Sequence, residues 1–253
     1  MTHFLTQYKV LSDDQSIYYA WFDAMHTRID IILCDLSEEK SNEYCELIYS
    51  EIARISSIVN RFDPESELSH LNKEGSKQFV KVSKDLFCLI EYAIASFTRT
   101  NGSFDITIHS ENNYTEGVKG IELIGKYSSI RYLHPDIKID LGGIAKGYIL
   151  DKAVDLLTKF GVNCFLLNFG NSSIAAFGNQ PNGDGWKVAL NEGGNTHWLH
   201  NEFLTVSGNS TSERKHIIDP HTHRFVEGKK ESAVTTTSGV EGEVLSTVNF
   251  LST

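Results

Sequence analysis

The chain has 253 residues, enough to bury a substantial core in one domain or in two intertwined lobes. Hydrophobic residues make up 40% and charged residues 22%, an ordinary balance for a soluble protein, and the formal net charge is −10. With no Lys/Arg run to override that negative field, nucleic acid and anionic membrane surfaces are excluded as expected partners.

The N-terminal stretch from Met1 lacks a basic segment followed by an apolar one, so no signal peptide is expected. No apolar run approaches the roughly 18 residues of a membrane span. Cys34, Cys45, Cys88 and Cys164 are scattered without CxxC spacing and read as buried thiols of a reducing compartment. The expected location is the cytoplasm.

Residues 17–34 alternate, are rich in β-branched and aromatic types, and read as strand. A helix follows, with Cys45, Ile48, Ile52, Ile55 and Val59 on one face. The polar, Pro-containing stretch from Arg61 to Asn72 reads as an ordered loop. Ser83 can cap a second helix with the stripe Leu86, Ile90, Ala93 and Phe97, and Asn101-Gly102 stops it. A third helix is expected over about 144–160, with Ile149, Ala153, Leu156 and Phe160 inward and Gly161 past its end. Short strands are expected near 163–169, 173–177 and 186–190, then strand and turn over 202–238. A last short helix begins near Gly239 and carries Val244, Val248 and Leu251. Helices and strands mix without regular βαβ alternation, so the expected class is α+β, with mixed and antiparallel sheets and packed helices.

Four segments carry candidate chemistry. Ile139-Asp-Leu-Gly-Gly-Ile-Ala-Lys-Gly-Tyr148 runs through a glycine pair into a helix start, where free N–H groups, the helix dipole and Lys146 favour a phosphate. Read alone, it is equally a tight turn with a solvated lysine. Gly102 to Thr107 sets an aromatic and a carboxylate after a helix end, or simply opens a strand with a buried Phe. Lys215 to His223 gathers His216, His221 and His223 around an Asp-Pro turn, whose plain reading is solvated histidines and whose other reading is a zinc site. Glu243 and Thr247 lie four apart on one helix face and suit oxygen ligation of a hard cation such as Mg²⁺, or else face solvent.

In this order the segments resemble the FAD:protein FMN transferases, the ApbE family. The resemblance rests on Ala24-Met25-His26-Thr27, the Asp63–Asn72 stretch with Ser66-Glu67-Leu68-Ser69, Gly102–Thr107, Ile139–Asp151, Leu166–Gly170, Thr205–Gly208, His216–Thr222 and Glu243–Thr247. It implies the family's flavin transferase fold over 1–253. It also implies an enzyme that cleaves the FAD pyrophosphate and joins FMN to a Thr or Ser hydroxyl of a target flavoprotein, releasing AMP. Met25, Phe62, Ser103, Phe104, Asp105, Asp140, Lys146 and Ile217 would then lie around FAD. The Gly143 carbonyl, Glu243 and Thr247 would hold Mg²⁺. Lys146 would neutralise pyrophosphate charge and His216 would take the acceptor proton.

The chain departs from the family pattern at several points. Glu243 stands where Asp is usual, and the stretch from Thr107 to Ile139 is shorter than the family norm. His26, Asn171 and His223 stand where glycine is usual, which strains any turn that needs a positive φ. An FAD pyrophosphatase that uses water as acceptor, and a flavin-binding protein that has lost transfer, are the alternatives.

Overall fold

A computed structural model of the protein describes residues 4–112, 114–181, 183–190, 196–209, 217–228 and 231–252. The first half contains β1 (Leu5–Ser12), β2 (Gln15–Ala24), β3 (Thr27–Cys34), α1 (Glu38–Val59), α2 (Glu67–Glu74), β4 (Val80–Lys81), α3 (Lys84–Arg99), β5 (Ile121–Ile124) and β6 (Ser129–Tyr132). There follow α4 (Ala145–Lys159), β7 (Phe165–Phe169), β8 (Ser173–Phe177), β9 (Trp186–Ala189), β10 (Thr196–Leu199), β11 (Glu202–Gly208), β12 (Ile218–Asp219), β13 (Arg224–Phe225), β14 (Glu231–Thr236) and α5 (Gly239–Ser252). Neighbouring strands run antiparallel, as β2 does with β3, β3 with β7 and β7 with β8. With its helices, the α+β expectation holds.

The chain divides into two units, each assembled from separate segments. The first comprises 1–53, 146–206 and 233–243. It is built on a seven-stranded sheet of order β1-β2-β3-β7-β8-β11-β14. Alternation buries Tyr18, Ala20 and Phe22 of β2, Ile29, Ile31 and Leu33 of β3, and Phe165, Leu167 and Phe169 of β7 on one face. Phe22 meets Tyr49 of α1 edge-on at 5.1 Å, and the Tyr18 hydroxyl donates to Asn42. A second apolar cluster joins Cys34, Ile174, Ala176 and Leu204 with Trp186 and Leu199 of the paired β9 and β10.

The second unit comprises 54–145, 207–232 and 244–253. Its sheet has the order β4-β6-β5, and α3 buries Leu86, Leu89, Ile90 and Ala93. The expected cap is present: Ser83 Oγ accepts the Leu86 N–H at 3.3 Å. Asn72 ties α2 to the strand-like approach to α4, accepting from Ile139 N at 2.8 Å and donating to Ile139 O at 2.9 Å.

Several expected elements differ in detail. The stretch 17–34 is a hairpin, turning at Met25-His26, and the exposed edge strand β1 precedes it. The expected loop 61–72 contains α2, because Ser66 caps it by accepting from Ser69 N while Leu68 and Leu71 are fully buried. The stretch after α3 is a run of turns, not a strand. Phe160 is 49% exposed and stacks on Tyr44, so the inward stripe of α4 ends at Leu157. At the end of α1 the buried residue is Ile58, and α5 buries Phe250 where Val248 and Leu251 were expected.

Candidate functional site

Within the first unit, the starts of α4 and α5 touch. A Cβ on Gly147 would fall into the Gly239 carbonyl and onto the Glu243 side chain, so only glycine permits this approach. Asp151 of α4 then caps α5: its carboxylate accepts from Gly239 N at 2.6 Å, Val240 N at 2.9 Å and Ser238 Oγ at 3.0 Å. Burial raises the Asp151 pKa, and these three donors oppose it.

This cap fixes where Glu243 points. Its side chain is buried, and Oε1 accepts the Ser173 hydroxyl at 2.6 Å. Burial raises the Glu243 pKa, opposed by the Lys146 charge, the Ser173 hydroxyl and the Gly147 N–H. Lys146 is half-buried, and its ammonium donates to Ser172 Oγ. It is therefore not the solvated lysine of the plain reading. One short turn, Ser172-Ser173, holds both the cation and the carboxylate.

That turn lies at the same sheet end as the β2–β3 turn. Met25 and His26 sit at φ 52° and 59°, as a two-residue hairpin turn of the primed type requires. Gly170 sits at φ 66°, and a Cβ there would fall on Thr27 Oγ1. Gly170 N also donates to Arg28 O at 2.9 Å. All three positions where glycine is usual in the family keep the left-handed backbone: His26 at 59°, Asn171 at 57° and His223 at 52°. The side chains changed and the turns did not.

The second unit holds the remaining candidates. Phe62 is 77% exposed, with the Arg61 guanidinium over its ring at 4.4 Å. Arg61 pairs with Asp140 at 3.0 Å, and His109 lies 3.3 Å from the same carboxylate oxygen. Asp140 also accepts from Gly142 N at 2.8 Å, which shapes the glycine turn. Gly142 and Gly143 are exposed and have ordinary negative-φ geometry, so their openness, not their dihedral freedom, suits them to a ligand. Ser103 Oγ lies 3.3 Å from His221 Nε2. Phe104 is buried, as the plain reading of that segment had it. Asp105 accepts from Thr107 N at 2.8 Å and Thr107 Oγ1 at 2.7 Å; burial raises its pKa, partly offset by these bonds and by His223. Ile217 is half-buried, and the Thr247 hydroxyl shares a 3.2 Å hydrogen bond with Ser207.

His216 lies outside the described residues, and with it the proposed histidine trio. Among the described residues no group of three or more His, Cys, Asp or Glu is placed to hold a metal. A set made of one carboxylate, one hydroxyl and one carbonyl falls outside that kind of cluster. Sequence reading missed Ser172, Ser173, Arg61, His109 and the role of Asp151. For Asp151 the signal was available, an acidic residue on the stretch Ile139–Asp151; nothing local marked the two serines.

Comparison with known proteins gives a consistent picture. An FAD:protein FMN transferase of Chlamydia muridarum is 24% identical over 196 residues, 66% of this chain and 61% of the relative. One from Klebsiella pneumoniae is 24% identical over 239 residues, 80% of this chain and 73% of the relative. The chain thus spans about three fifths of the length of the chlamydial relative. A flavin transferase ApbE from Vibrio cholerae superposes with a TM-score of 0.78 over 96% of this chain and 86% of that one; at 18% identity the likeness is one of fold. The model of the ApbE family matches residues 25–253, nearly the whole sequence, and the chain belongs to that family.

Proposed function

We propose that the chain is an FAD:protein FMN transferase, moving FMN from FAD onto a Thr or Ser hydroxyl of a target flavoprotein with release of AMP. One observation carries the reading beyond family membership. A lysine and a buried carboxylate are held by adjacent serines at the touching starts of two helices. Helix starts and a fixed cation favour phosphate oxygens, and a carboxylate kept there against its burial cost is the kind of perturbed group that functional sites retain.

In this proposal the acceptor oxygen bonds to the FMN phosphorus as the bond from that phosphorus to the bridging oxygen breaks. The bridging oxygen leaves on AMP, and His216 takes the hydroxyl proton. Lys146, oriented by Ser172, neutralises pyrophosphate charge. Exposed Phe62, backed by Arg61, offers a face for a flat ring, and Met25, Ser103, Phe104, Asp105, Asp140 and Ile217 complete the proposed FAD surroundings.

The Gly143 carbonyl, Glu243 and Thr247 would hold Mg²⁺, which when bound withdraws charge from the pyrophosphate oxygens. These are oxygen donors only, as a hard cation requires, and Glu243 and Thr247 stand one turn apart on α5. No helix among the described residues is long and apolar enough to cross a membrane. A cytoplasmic location is part of the proposal.

The test supplies Mg²⁺ and FAD with and without a candidate acceptor and follows products by mass spectrometry. AMP together with an acceptor heavier by FMN supports transfer. FMN and AMP regardless of acceptor indicates a pyrophosphatase, and bound, intact FAD indicates a binder. Calorimetry should show FAD bound far more tightly than FMN; equal affinities would remove the pyrophosphate from the argument.

A further inference from the structure

Cys34 ends β3, and Cys164 immediately precedes β7, far away in sequence. The β3–β7 ladder runs antiparallel to the pair Leu33↔Phe165, so the next step sets Cys34 opposite Cys164. The Cys34 N–H donates to the Cys164 carbonyl at 3.0 Å, which makes this a hydrogen-bonded ladder pair. Opposed residues in such a pair have Cα atoms about 5.5 Å apart and side chains on the same face. That spacing falls inside the roughly 4.4–6.8 Å range spanned by disulfides. The two thiols already touch: Cys34 S–H donates to the Cys164 sulfur, and Cys164 donates to Asn179 O at 2.9 Å.

We propose that Cys34 and Cys164 form a reversible disulfide when the protein meets a hydroperoxide, stapling β3 to β7. The proposal is independent of flavin transfer.

The two cysteines are unequal in the way such chemistry needs. Cys34 is buried in the cluster with Trp186 and Leu204, whereas Cys164 is half-exposed at the rim of that cluster. The hydrogen bond from Cys34 lowers the Cys164 pKa, against the burial that raises it, and the Cys34 thiol is pushed well up. Cys164, the more exposed of the two, is therefore the sulfur that an oxidant reaches, and it reacts as its thiolate. Its thiolate attacks a peroxide oxygen, the O–O bond breaks, and an alcohol or water leaves, giving a sulfenic acid. The Cys34 sulfur then attacks the Cys164 sulfur; the S–S bond forms, the S–O bond breaks, and water leaves with the Cys34 proton. The two thiols lose two electrons, and the hydroperoxide gains them. A dithiol reductant reverses the change by exchange. Free cysteines in a reducing compartment are the setting in which such a transient bond is used.

The experiment treats the full chain with stoichiometric hydrogen peroxide and reads intact mass, thiols titrated after denaturation, and non-reduced peptides. The expected result is a mass lower by two hydrogens, a fall in titratable thiols from all four cysteines to Cys45 and Cys88, and one peptide pair joining Cys34 to Cys164. Dithiothreitol should restore all of them, and the oxidised form should melt at a higher temperature. In C34S, Cys164 should stop at a sulfenic acid that a 1,3-diketone traps; in C164S, Cys34 should stay reduced. Because Cys34 is buried and its variant is at risk of misfolding, the wild-type peptide map decides. Oxidation of Cys88 first, a bond between two chains, or Cys164 driven to sulfinic acid beside a free Cys34 would each overturn the proposal.

Discussion

Replacing Glu243 with Gln tests whether a carboxylate is kept in this position at a cost in stability. The variant preserves shape and the Oε1 acceptor, so the hydrogen bond from Ser173 remains, and both it and the Gly147 N–H contact lose their ionic share. A bond to a charged group contributes about 1.5–3 kcal/mol against about 1 for a neutral one, so each bond loses roughly 1 kcal/mol. The attraction to Lys146 is lost too. Against these stands the cost of burying the ionised carboxylate, several kcal/mol in a site closed to water. Burial is the largest influence, and the net direction for Glu243 is upward, so removal of the charge should win by about 1 kcal/mol at pH 7.

The pH signature follows from the sign. A carboxyl group with a raised folded pKa favours the folded state while protonated, below its unfolded value of 4.5. That contribution is lost as pH rises through the folded pKa. The gap between E243Q and wild type should therefore be closed below pH 4.5, open as pH rises from there, and be complete above the folded pKa. At this chain length about 1 kcal/mol moves a melting midpoint by roughly 2–4 °C. Thermal melts by circular dichroism at pH 7 and near pH 4.5 provide the assay, with AMP release measured on the same samples. A variant that is more stable at pH 7 yet releases no AMP marks a functional carboxylate. Lower stability at pH 7, or an offset that persists in acid, would refute the reasoning.

Lys146→Ala should weaken FAD binding in a calorimetric titration, and Lys146→Arg should rescue only in part, because the planar guanidinium is bulkier than the ammonium that meets Ser172. Thr247→Ala should abolish AMP release while shifting stability by no more than about 1 kcal/mol, the worth of its bond to Ser207; unchanged turnover would show that this hydroxyl takes no part. Gly170→Ala should destabilise by roughly 2–4 kcal/mol in urea denaturation, combining a left-handed φ with the collision at Thr27. His26→Gly should do the opposite, stabilising by up to about 1 kcal/mol through release of its φ of 59°; a loss of stability would show that the His26 side chain supports the turn.

Features whose causes lie within a few residues of chain were legible in the sequence. Ser83 caps α3 through its own third neighbour, the apolar spacing of α1 buries Cys45, Ile48, Ile52 and Ile55, and Gly239 opens α5 as expected. The ordered motifs likewise sufficed to indicate the family, since their residue types and order are one-dimensional facts. Positions where glycine is replaced read as strained turns, and their φ values are positive because the turn sets the backbone whatever side chain is present, as the two-residue connection at Met25-His26 requires.

Tertiary structure alone decided what depends on distant partners. Helix α2 has eight residues, too few for a strong periodic signal, and it is held by burial of Leu68 and Leu71. Lys146 reads as solvated or functional with equal ease until Ser172 is brought to it across 26 positions. Asp151 caps a helix that begins 88 residues later, and Ser173 meets Glu243 across 70. Cys34 and Cys164 become a pair only because β3 and β7 lie side by side in this register. Local sequence sets propensity and periodicity through short-range sterics and hydrogen bonds. Which carboxylate ends up buried beside which cation depends on long-range pairing, for which a single sequence carries no local signal.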